Sequence, residues 1–246
     1  LATSLGFGVQ QVSAGGAFLF GTPDTAWFQV VLIVAITGLA TLSVVAGLDG
    51  GVKRVSQLNL NLAVVFLVFV VVVGPTLFIV GSMVESTGAY AQSLPALSLW
   101  TETFDGGGWQ GGWTIFYWGW WISWSPFVGM FIARVSKGRT IREFVVGVVL
   151  VPSVLTFGWM SAFGGSALHV QSEGIRDLAS SVDDNVATAL FELLEAFPLT
   201  FVTSLVAIVL VMSFFVTSSD SGSLVVDHLT SGGKLETPVP QRVFWA

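Results

Sequence analysis

Long apolar stretches constrain this chain more than any other feature of its sequence. The hydrocarbon core of a bilayer is about 30 Å thick, so a spanning helix needs about 20 mainly apolar residues. Hydrophobic residues make up 53% of the chain and charged residues only 10%, a balance that soluble domains rarely reach. The sequence therefore predicts an all-α, multi-pass integral membrane protein. Predicted spans lie near residues 26–48, 59–82, 113–133, 144–168 and 198–219, after the end of an earlier span within 1–20.

The basic residues predict which connections face the cytoplasm, because Lys and Arg accumulate in cytoplasmic loops. All but one of the nine Lys and Arg residues fall in three predicted connections, 49–58, 134–143 and 220–242. The two long connections that alternate with these, 83–112 and 169–197, hold most of the acidic residues. We therefore place 83–112 and 169–197 on the outer side of the membrane. The basic residues of 134–143 can also contact anionic lipid headgroups.

Each outer connection contains a helical pattern. The stretch "SMVESTGAYAQSLPALSLW" can form an amphipathic helix that lies on the membrane surface. The stretch "VDDNVATALFELLEAFP" has apolar residues at helical spacing and ends at Pro198, so it predicts a second short outer helix.

Several classes of function are excluded by what the sequence lacks. It has no cysteine, so disulfides and thiolate metal sites are absent, and its formal charge of −6 argues against nucleic acid as a partner. No Walker loop is present to bind a nucleotide. The two histidines, His169 and His228, lie at predicted span ends, and no nucleophile–base pair or metal-ligand motif occurs in the spans. We predict that the chain is not an enzyme and holds no organic cofactor.

The segment "WTIFYWGWWISWSPF", residues 113–127, holds five of the ten tryptophans. Trp113 fits the interfacial belt at the end of a span, whereas later tryptophans fall in the middle of the predicted span. Their spacing of i, i+3, i+4 and i+7 places them on roughly one helical face. The members of this aromatic row are Tyr117, Trp120, Trp121, Trp124, Phe127 or Val128, and Phe131.

An aromatic row can either pack against neighbouring helices or line a cavity. Membrane helix interfaces favour small residues, so the adjacent Trp120 and Trp121 are poor packing choices. Pro126 removes a helical hydrogen bond in mid-span, which is tolerated where the backbone is buried in protein or lines a cavity. A cavity walled by indoles suits a quaternary ammonium ion, which is held by cation–π attraction of about 2 kcal/mol when desolvated. It does not resemble the polar or carbonyl-lined path that a channel needs.

The stretch "FFVTSSDS" is a candidate site for a small cation. Phe214, Thr217 and Ser218 follow at i, i+3 and i+4, which places a carbonyl and two hydroxyls on one helical face. Such oxygen ligands suit an alkali ion near irregular helices of transporters. The alternative is local, because Ser and Thr in membrane helices often donate to a carbonyl of the preceding turn.

Two further features concern helix packing. Asp220 would be costly in lipid, so we expect it to face the protein interior or the cytoplasmic vestibule, with Ser218, Ser221 or Ser223 as a structural partner. Gly15 and Gly16 of "SAGGAF" are predicted to permit a close approach of helices.

The sequence resembles the betaine/choline/carnitine transporter family. The resemblance is carried by "WTIFYWGWWISWSPFVGMFIARVSKGRTIREF", "FFVTSSDSGSLVVDHLTSGG" and "ATSLGFGVQQVSAG". It implies a partial LeuT-type core of two inverted repeats, covering about the fifth to the tenth spans of a longer chain. Residues 1–82 would end the first repeat, 83–112 would form the periplasmic loop with its amphipathic helix, and 113–246 would begin the second repeat.

The resemblance also implies roles for individual residues. Trp120, Trp121 and Trp124 would line the substrate route, with Trp121 in a central aromatic box and Phe131 on its cytoplasmic side, and Tyr117 belongs to the same substrate-binding row. Phe214, Thr217 and Ser218 match a sodium site of the sodium-coupled members. A second sodium site of those members uses a Phe at the position of Phe127 together with threonines. Leu1 stands where such a threonine would be, so the coupling ion is either Na⁺ or H⁺.

The function expected from this resemblance is uptake of glycine betaine or choline, driven by an ion gradient through alternating access. The alternatives are a proton-coupled choline carrier, a carnitine or ectoine carrier, and a membrane receptor that binds betaine without transport. The family also implies a homotrimer in a bacterial inner membrane and a role in osmoprotection.

Overall fold

The computed structural model describes residues 2–47, 53–104, 106–234 and 237–246. Within these ranges the chain forms helices and no strand, which confirms the predicted all-α class. The helices are α1 (Ala2–Phe20), α2 (Ala26–Gly47), α3 (Lys53–Val73), α4 (Thr76–Leu99), α5 (Phe116–Val135), α6 (Ile141–Ser172), α7 (Leu178–Asp184), α8 (Ala189–Glu195), α9 (Thr200–Thr230) and α10 (Val239–Trp245). A π-helical turn, Gln110–Ile115, leads into α5, and two others lie within α6 at Val146–Leu150 and Ser161–Gly165.

Four helices of the described residues are long and apolar enough to cross a membrane: Ala26–Val45, Lys53–Val73, Ile141–Ser172 and Thr200–Thr230. The predicted spans 1–20 and 113–133 are also helical, as α1 and α5, but do not reach this degree of hydropathy. Gly, Ser and Gln in α1, and Gly, Trp and Tyr in α5, lower the mean hydropathy of these two helices. Four spans are therefore supported by length and composition.

The predicted span 59–82 is divided into two helices. Helix α3 already begins at Lys53, within the predicted connection 49–58, of which residues 49–52 lie outside the described residues. It ends at Val73, and α4 begins at Thr76, on the other side of Pro75. Proline has no N–H and disfavours helical backbone at the preceding residue. The predicted amphipathic helix is confirmed as helical, but it is the later part of α4 and not a separate element.

The predicted cytoplasmic connection 220–242 is helical over its first part, because α9 runs without interruption to Thr230. The prediction of a loop from residue 220 is therefore wrong. Asp220 and Asp227 lie in this part of α9, and both side chains are buried and hydrogen-bonded to residues outside the helix. Each hydrogen bond offsets part of the cost of burying the carboxyl group.

The chain divides into two compact units, residues 1–79 with 159–246 (unit 1) and residues 80–158 (unit 2). In unit 1, α9 packs against α1, α2 and α3. Its main core contains Phe66, Val70, Phe191, Leu194 and Ile208. The predicted second outer helix is present as the 3-10 turn Val186–Thr188 followed by α8, and α8 contributes Phe191 and Leu194 to this core. Burial of these side chains, which supplies most helical stability in proteins, fixes the short helix.

Gly15 lies where α1 approaches α9 and α8 closely. A Cβ atom at this position would overlap the ring of Phe191 and lie 2.7 Å from Cγ1 of Ile208. No real side chain fits at such distances, so the prediction of close helix approach at Gly15 is confirmed. Gly15 is needed because neighbouring side chains leave no room for a Cβ atom, and its backbone conformation does not itself require glycine.

Unit 2 contains most of α4, all of α5 and the first part of α6. Tyr90 of α4 and Phe157 of α6 make an edge-on ring contact at 5.6 Å between centroids. Helix α6 starts with a capping box, in which Thr140 Oγ1 accepts from the Glu143 N–H at 3.2 Å and Glu143 Oε2 accepts from the Thr140 N–H at 2.8 Å. This reciprocal pair satisfies two backbone donors at the start of the helix.

Candidate functional site

The aromatic row lies on α5, as the spacing predicts. Tyr117 and Trp121 are exposed within the described chain, by 51% and 59%, while Trp120, Trp124, Phe127 and Phe131 are half-buried. The indole of Trp121 is thus not covered by the other described residues.

Ring stacking extends from Tyr117, the first residue of the row, toward the N-terminal end of α5. Trp109 stacks on Trp113 at 5.5 Å between centroids, and Trp113 stacks on Tyr117 at 6.2 Å. Glu102 holds the backbone at the first of these stacked rings, because its Oε1 and Oε2 accept from the N–H groups of Trp109 and Gln110, each at 2.8 Å. A carboxylate at this position also complements the positive end of the helix dipole.

Two further ring pairs restrain members of the row. Phe116 contacts Trp120 edge-on at 5.6 Å, and Trp124 stacks on Phe127 at 5.9 Å. These contacts join aromatic residues one turn apart on the same helix. They restrain the ring orientations of Trp120 and Trp124, which reduces the entropy lost when a ligand is bound.

Helix α5 continues through Pro126 without interruption. Proline cannot donate to the carbonyl of Ile122, but Ser125 Oγ donates to this carbonyl at 3.0 Å. The serine hydroxyl thus replaces the missing backbone donor, as Ser and Thr side chains do in membrane helices. The aromatic row can therefore stay on one continuous helix despite the proline.

The candidate cation ligands Phe214, Thr217 and Ser218 lie on α9 in unit 1. Thr217 Oγ1 donates to the carbonyl of Phe214 at 2.9 Å, so the local bond that the sequence left as an alternative does form. This bond orients the hydroxyl with its lone pairs away from the backbone, where they can still accept. The Ser218 side chain is exposed within the described residues.

The second predicted ion site is only partly described. Phe127 belongs to α5 in unit 2 and stacks on Trp124, whereas Leu1 lies outside the described residues. The structure thus tests neither member of this predicted site as an ion ligand.

The hydrogen-bond partner of Asp220 differs from the one predicted from the sequence. Its side chain is completely buried, as expected, but its partner is Ser43 on α2 rather than a nearby serine of α9. Ser43 Oγ donates to Asp220 Oδ2 at 2.5 Å. The two residues are 177 positions apart in the sequence, and no local signal marks Ser43 as the partner.

These helices, with an aromatic face on α5 and a hydroxyl-bearing face on α9, define a multi-pass α-helical membrane protein. All 246 residues match the family described as BCCT, betaine/carnitine/choline family transporter. The chain belongs to this family.

Three relatives illustrate the match over the complete chain. The chain is 52% identical over 246 residues to a glycine betaine/proline/choline transporter of Vibrio parahaemolyticus and covers 44% of that protein. It is 49% identical to a glycine betaine transporter of Acinetobacter baylyi, of which it covers 37%. It is 44% identical over 249 residues to the ectoine/glycine betaine/proline transporter EctP of Corynebacterium glutamicum, of which it covers 40%. The chain thus spans less than half the length of these relatives.

Proposed function

We propose that the protein containing this chain is an ion-coupled secondary transporter that imports glycine betaine or choline. The observation that carries the proposal is the aromatic row of α5, with its exposed indole at Trp121, in a chain that matches a betaine/carnitine/choline transporter family throughout. Relatives that are about half identical carry the names of glycine betaine and choline transporters.

The substrate would bind through its trimethylammonium group. A quaternary ammonium has no N–H to donate, so hydrogen-bond acceptors do not recognise it, whereas the π faces of aromatic rings attract its charge. We assign direct substrate contact to Trp121 and the adjacent route to Tyr117, Trp120, Trp124 and Phe131. The ring pairs of Trp120 and Trp124 would keep the route open while the substrate moves along α5.

The coupling ion would bind on α9. Phe214, Thr217 and Ser218 offer a carbonyl and two hydroxyls, and oxygen ligands of this type suit Na⁺. Phe127 is assigned to a second ion site, as in the sodium-coupled members that the sequence resembles. H⁺ coupling is the alternative, and the experiment below separates the two ions.

The remaining assignments concern the assembly. We assign residues 1–82 to the end of one inverted repeat and 113–246 to the start of the second, with the outer connection 83–112 between them. Transport would proceed by alternating access in a LeuT-type core. The protein would act in osmoprotection, as a homotrimer in contact with lipid in the inner membrane of a bacterium.

A transport assay of the full-length protein tests the proposal. Radiolabelled glycine betaine and choline are supplied to a bacterial strain that lacks other uptake systems, with Na⁺ or with K⁺ in its place. We expect saturable uptake that depends on Na⁺. Uptake that follows the pH gradient and ignores Na⁺ would assign the coupling to H⁺. Binding without accumulation would support the receptor alternative and contradict the proposal.

A neutral analogue tests the recognition of charge. 3,3-Dimethyl-1-butanol has the shape of choline but a carbon in place of the ammonium nitrogen. If cation–π attraction of about 2 kcal/mol holds the substrate, this analogue competes at least about 30-fold more weakly than unlabelled choline. Equal competition by the two compounds would contradict the role assigned to Trp121. Competition by unlabelled carnitine, proline and ectoine would rank the affinity of this protein for these other compounds.

A further inference from the structure

Helix α9 carries a row of polar side chains that connect it to three different parts of unit 1. Ser213, Asp220 and Asp227 follow at intervals of seven residues, so they lie on nearly the same face of the helix. Ser213 Oγ donates to Oδ1 of Asn59 on α3 at 2.9 Å. Asp220 accepts from Ser43 on α2, and Asp227 accepts from the hydroxyl of Thr237, which precedes α10.

The middle contact of this polar row lies in an apolar environment. Asp220 is completely buried and Ser43 nearly so. Val216, one turn before Asp220, and Ala40, one turn before Ser43, belong to the same buried apolar cluster. The second carboxyl oxygen of Asp220, Oδ1, has no hydrogen-bond partner among the described residues.

Such a residue is a poor choice if stability is its only purpose. A buried carboxyl with one partner has lost more hydration than the single bond returns, and an apolar side chain of similar volume often stabilises the fold as well or better. Buried polar contacts are best known for fixing the register of packed helices. The Ser43–Asp220 contact can fix both the rotation and the axial position of α9 relative to α2.

The same contact lies next to the candidate ion ligands. Thr217 precedes Asp220 by three residues, which is a rise of about 4.5 Å along the helix. Ser221 Oγ donates to the carbonyl of Thr217 at 3.0 Å, and Thr217 Oγ1 donates to the carbonyl of Phe214. The turn of residues 214–218, which we call the ion-binding turn, is therefore part of the continuous helix α9. Its position follows that of α9.

We propose that Ser43 and Asp220 are positioning residues for the coupling ion. Their hydrogen bond holds α9 against α2 in the register that presents the ion-binding turn to the ion. This inference rests on the proposed function, because it concerns the ion site of that transporter. Ligands of an ion must be placed within about 0.5 Å, so a small slide or rotation of α9 weakens ion binding.

The test measures the dependence of glycine betaine uptake on Na⁺ concentration, using full-length protein in proteoliposomes. Ser43→Ala removes the donor and Asp220→Ala removes the acceptor, whereas Asp220→Asn keeps an oxygen that can accept from Ser43. We expect the Na⁺ concentration for half-maximal uptake to rise about tenfold in both alanine variants and less than about threefold in Asp220→Asn. The KM for glycine betaine at saturating Na⁺ stays within about twofold of the unsubstituted value.

Thr237→Val is the matched control. It removes the corresponding bond to Asp227, which lies on the same face of α9 but further from the ion-binding turn. We expect it to lower the thermal stability of the protein while the Na⁺ dependence stays unchanged. Ser43→Ala removes only one oxygen atom. It therefore still tests the proposal if Asp220→Ala does not yield folded protein.

Each other outcome overturns the inference in a distinguishable way. Active alanine variants with an unchanged Na⁺ dependence would show that the contact serves the fold alone. An equal shift in Thr237→Val would show that any loss of stability alters the ion response. Uptake by the unsubstituted protein that is independent of Na⁺ would overturn this inference but leave a transporter, whereas absence of any uptake would overturn the proposed function itself.

Discussion

Polar side chains are buried at contacts of α9 in unit 1, whereas aromatic side chains are exposed along α5 in unit 2. In unit 1, Asp220 and Asp227 are almost inaccessible to solvent, and each accepts a hydrogen bond from a residue outside α9. In unit 2, Trp121 and Trp118 of α5 are more than half exposed. The difference reverses the usual distribution of a soluble protein.

This comparison indicates that the helices of unit 1 and helix α5 differ in what their side chains do. Buried polar contacts and close-packed rings hold the helices of unit 1 in one register. The exposed rings of α5 have few partners within the chain, and their surfaces remain available for a ligand or another segment. Substitutions in unit 1 away from the ion-binding turn and the Ser43–Asp220 contact should therefore act mainly on stability, and substitutions on the aromatic row should act mainly on substrate binding. Four predictions test this distinction.

The largest effect is expected for Phe191→Ala in unit 1. The ring is 1% exposed and stacks on Phe18 at 5.7 Å, so its removal should cost about 3–5 kcal/mol of unfolding free energy. The apparent melting temperature of the purified full-length protein measures the loss. Phe104→Ala is the matched control in unit 2, where the ring is 99% exposed. Equal losses in both variants would remove the distinction between the units.

Trp121→Ala should weaken glycine betaine binding by about 2 kcal/mol, or about 30-fold, through the loss of a cation–π contact. Trp121→Phe should retain part of the affinity, because phenylalanine keeps a smaller π face. The melting temperature should change little in either variant. Trp118→Ala is the control, since Trp118 is exposed but lies beside the aromatic row. Unchanged binding in Trp121→Ala would mean that the row serves packing.

Gly15→Ala should destabilise unit 1 by about 1–3 kcal/mol, because the added methyl group overlaps Phe191 and Ile208. The same change at Gly129 of α5 meets no atom within 4 Å. Gly129→Ala should stabilise its helix by up to about 1 kcal/mol through higher helix propensity. Thermal unfolding of the two variants would therefore shift in opposite directions, and a shift in the same direction would contradict the close approach at Gly15.

The smallest effect is expected for Ser213→Ala. It removes the hydrogen bond to Asn59, which is 3% exposed, and a lost bond of this type costs about 1 kcal/mol. Ser123→Ala is the control, because its hydroxyl donates only to a carbonyl of the preceding turn on α5 and is exposed. The difference between the two melting temperatures reports the contact between α3 and α9. No difference would show that this member of the polar row is energetically neutral.

Most of the helical content could be predicted from the sequence, because apolar length and proline position are local properties. The boundaries were less predictable. The end of α9 was placed near residue 219 since polar residues follow it, although the helix reaches Thr230. The break at Pro75 was missed because the residues on both sides are equally apolar.

The aromatic row on α5 and the hydroxyl turn on α9 could also be predicted, since both depend on spacing within one helix. The exposure of Trp121 could not, because it depends on which segments lie around α5. The local bond from Thr217 to Phe214 was foreseen as an alternative, and it forms because the donor and acceptor are one turn apart.

The sequence by itself determined the membrane class, the family, most of the helical content and the residues that share a helical face. These features follow from hydropathy and from the period of the helix, which nearby residues specify. The tertiary structure alone decided that Ser43 is the partner of Asp220 and that Gly15 lies against Phe191 and Ile208. Such contacts join residues far apart in the chain, and they form only where packed helices bring complementary groups within bonding distance.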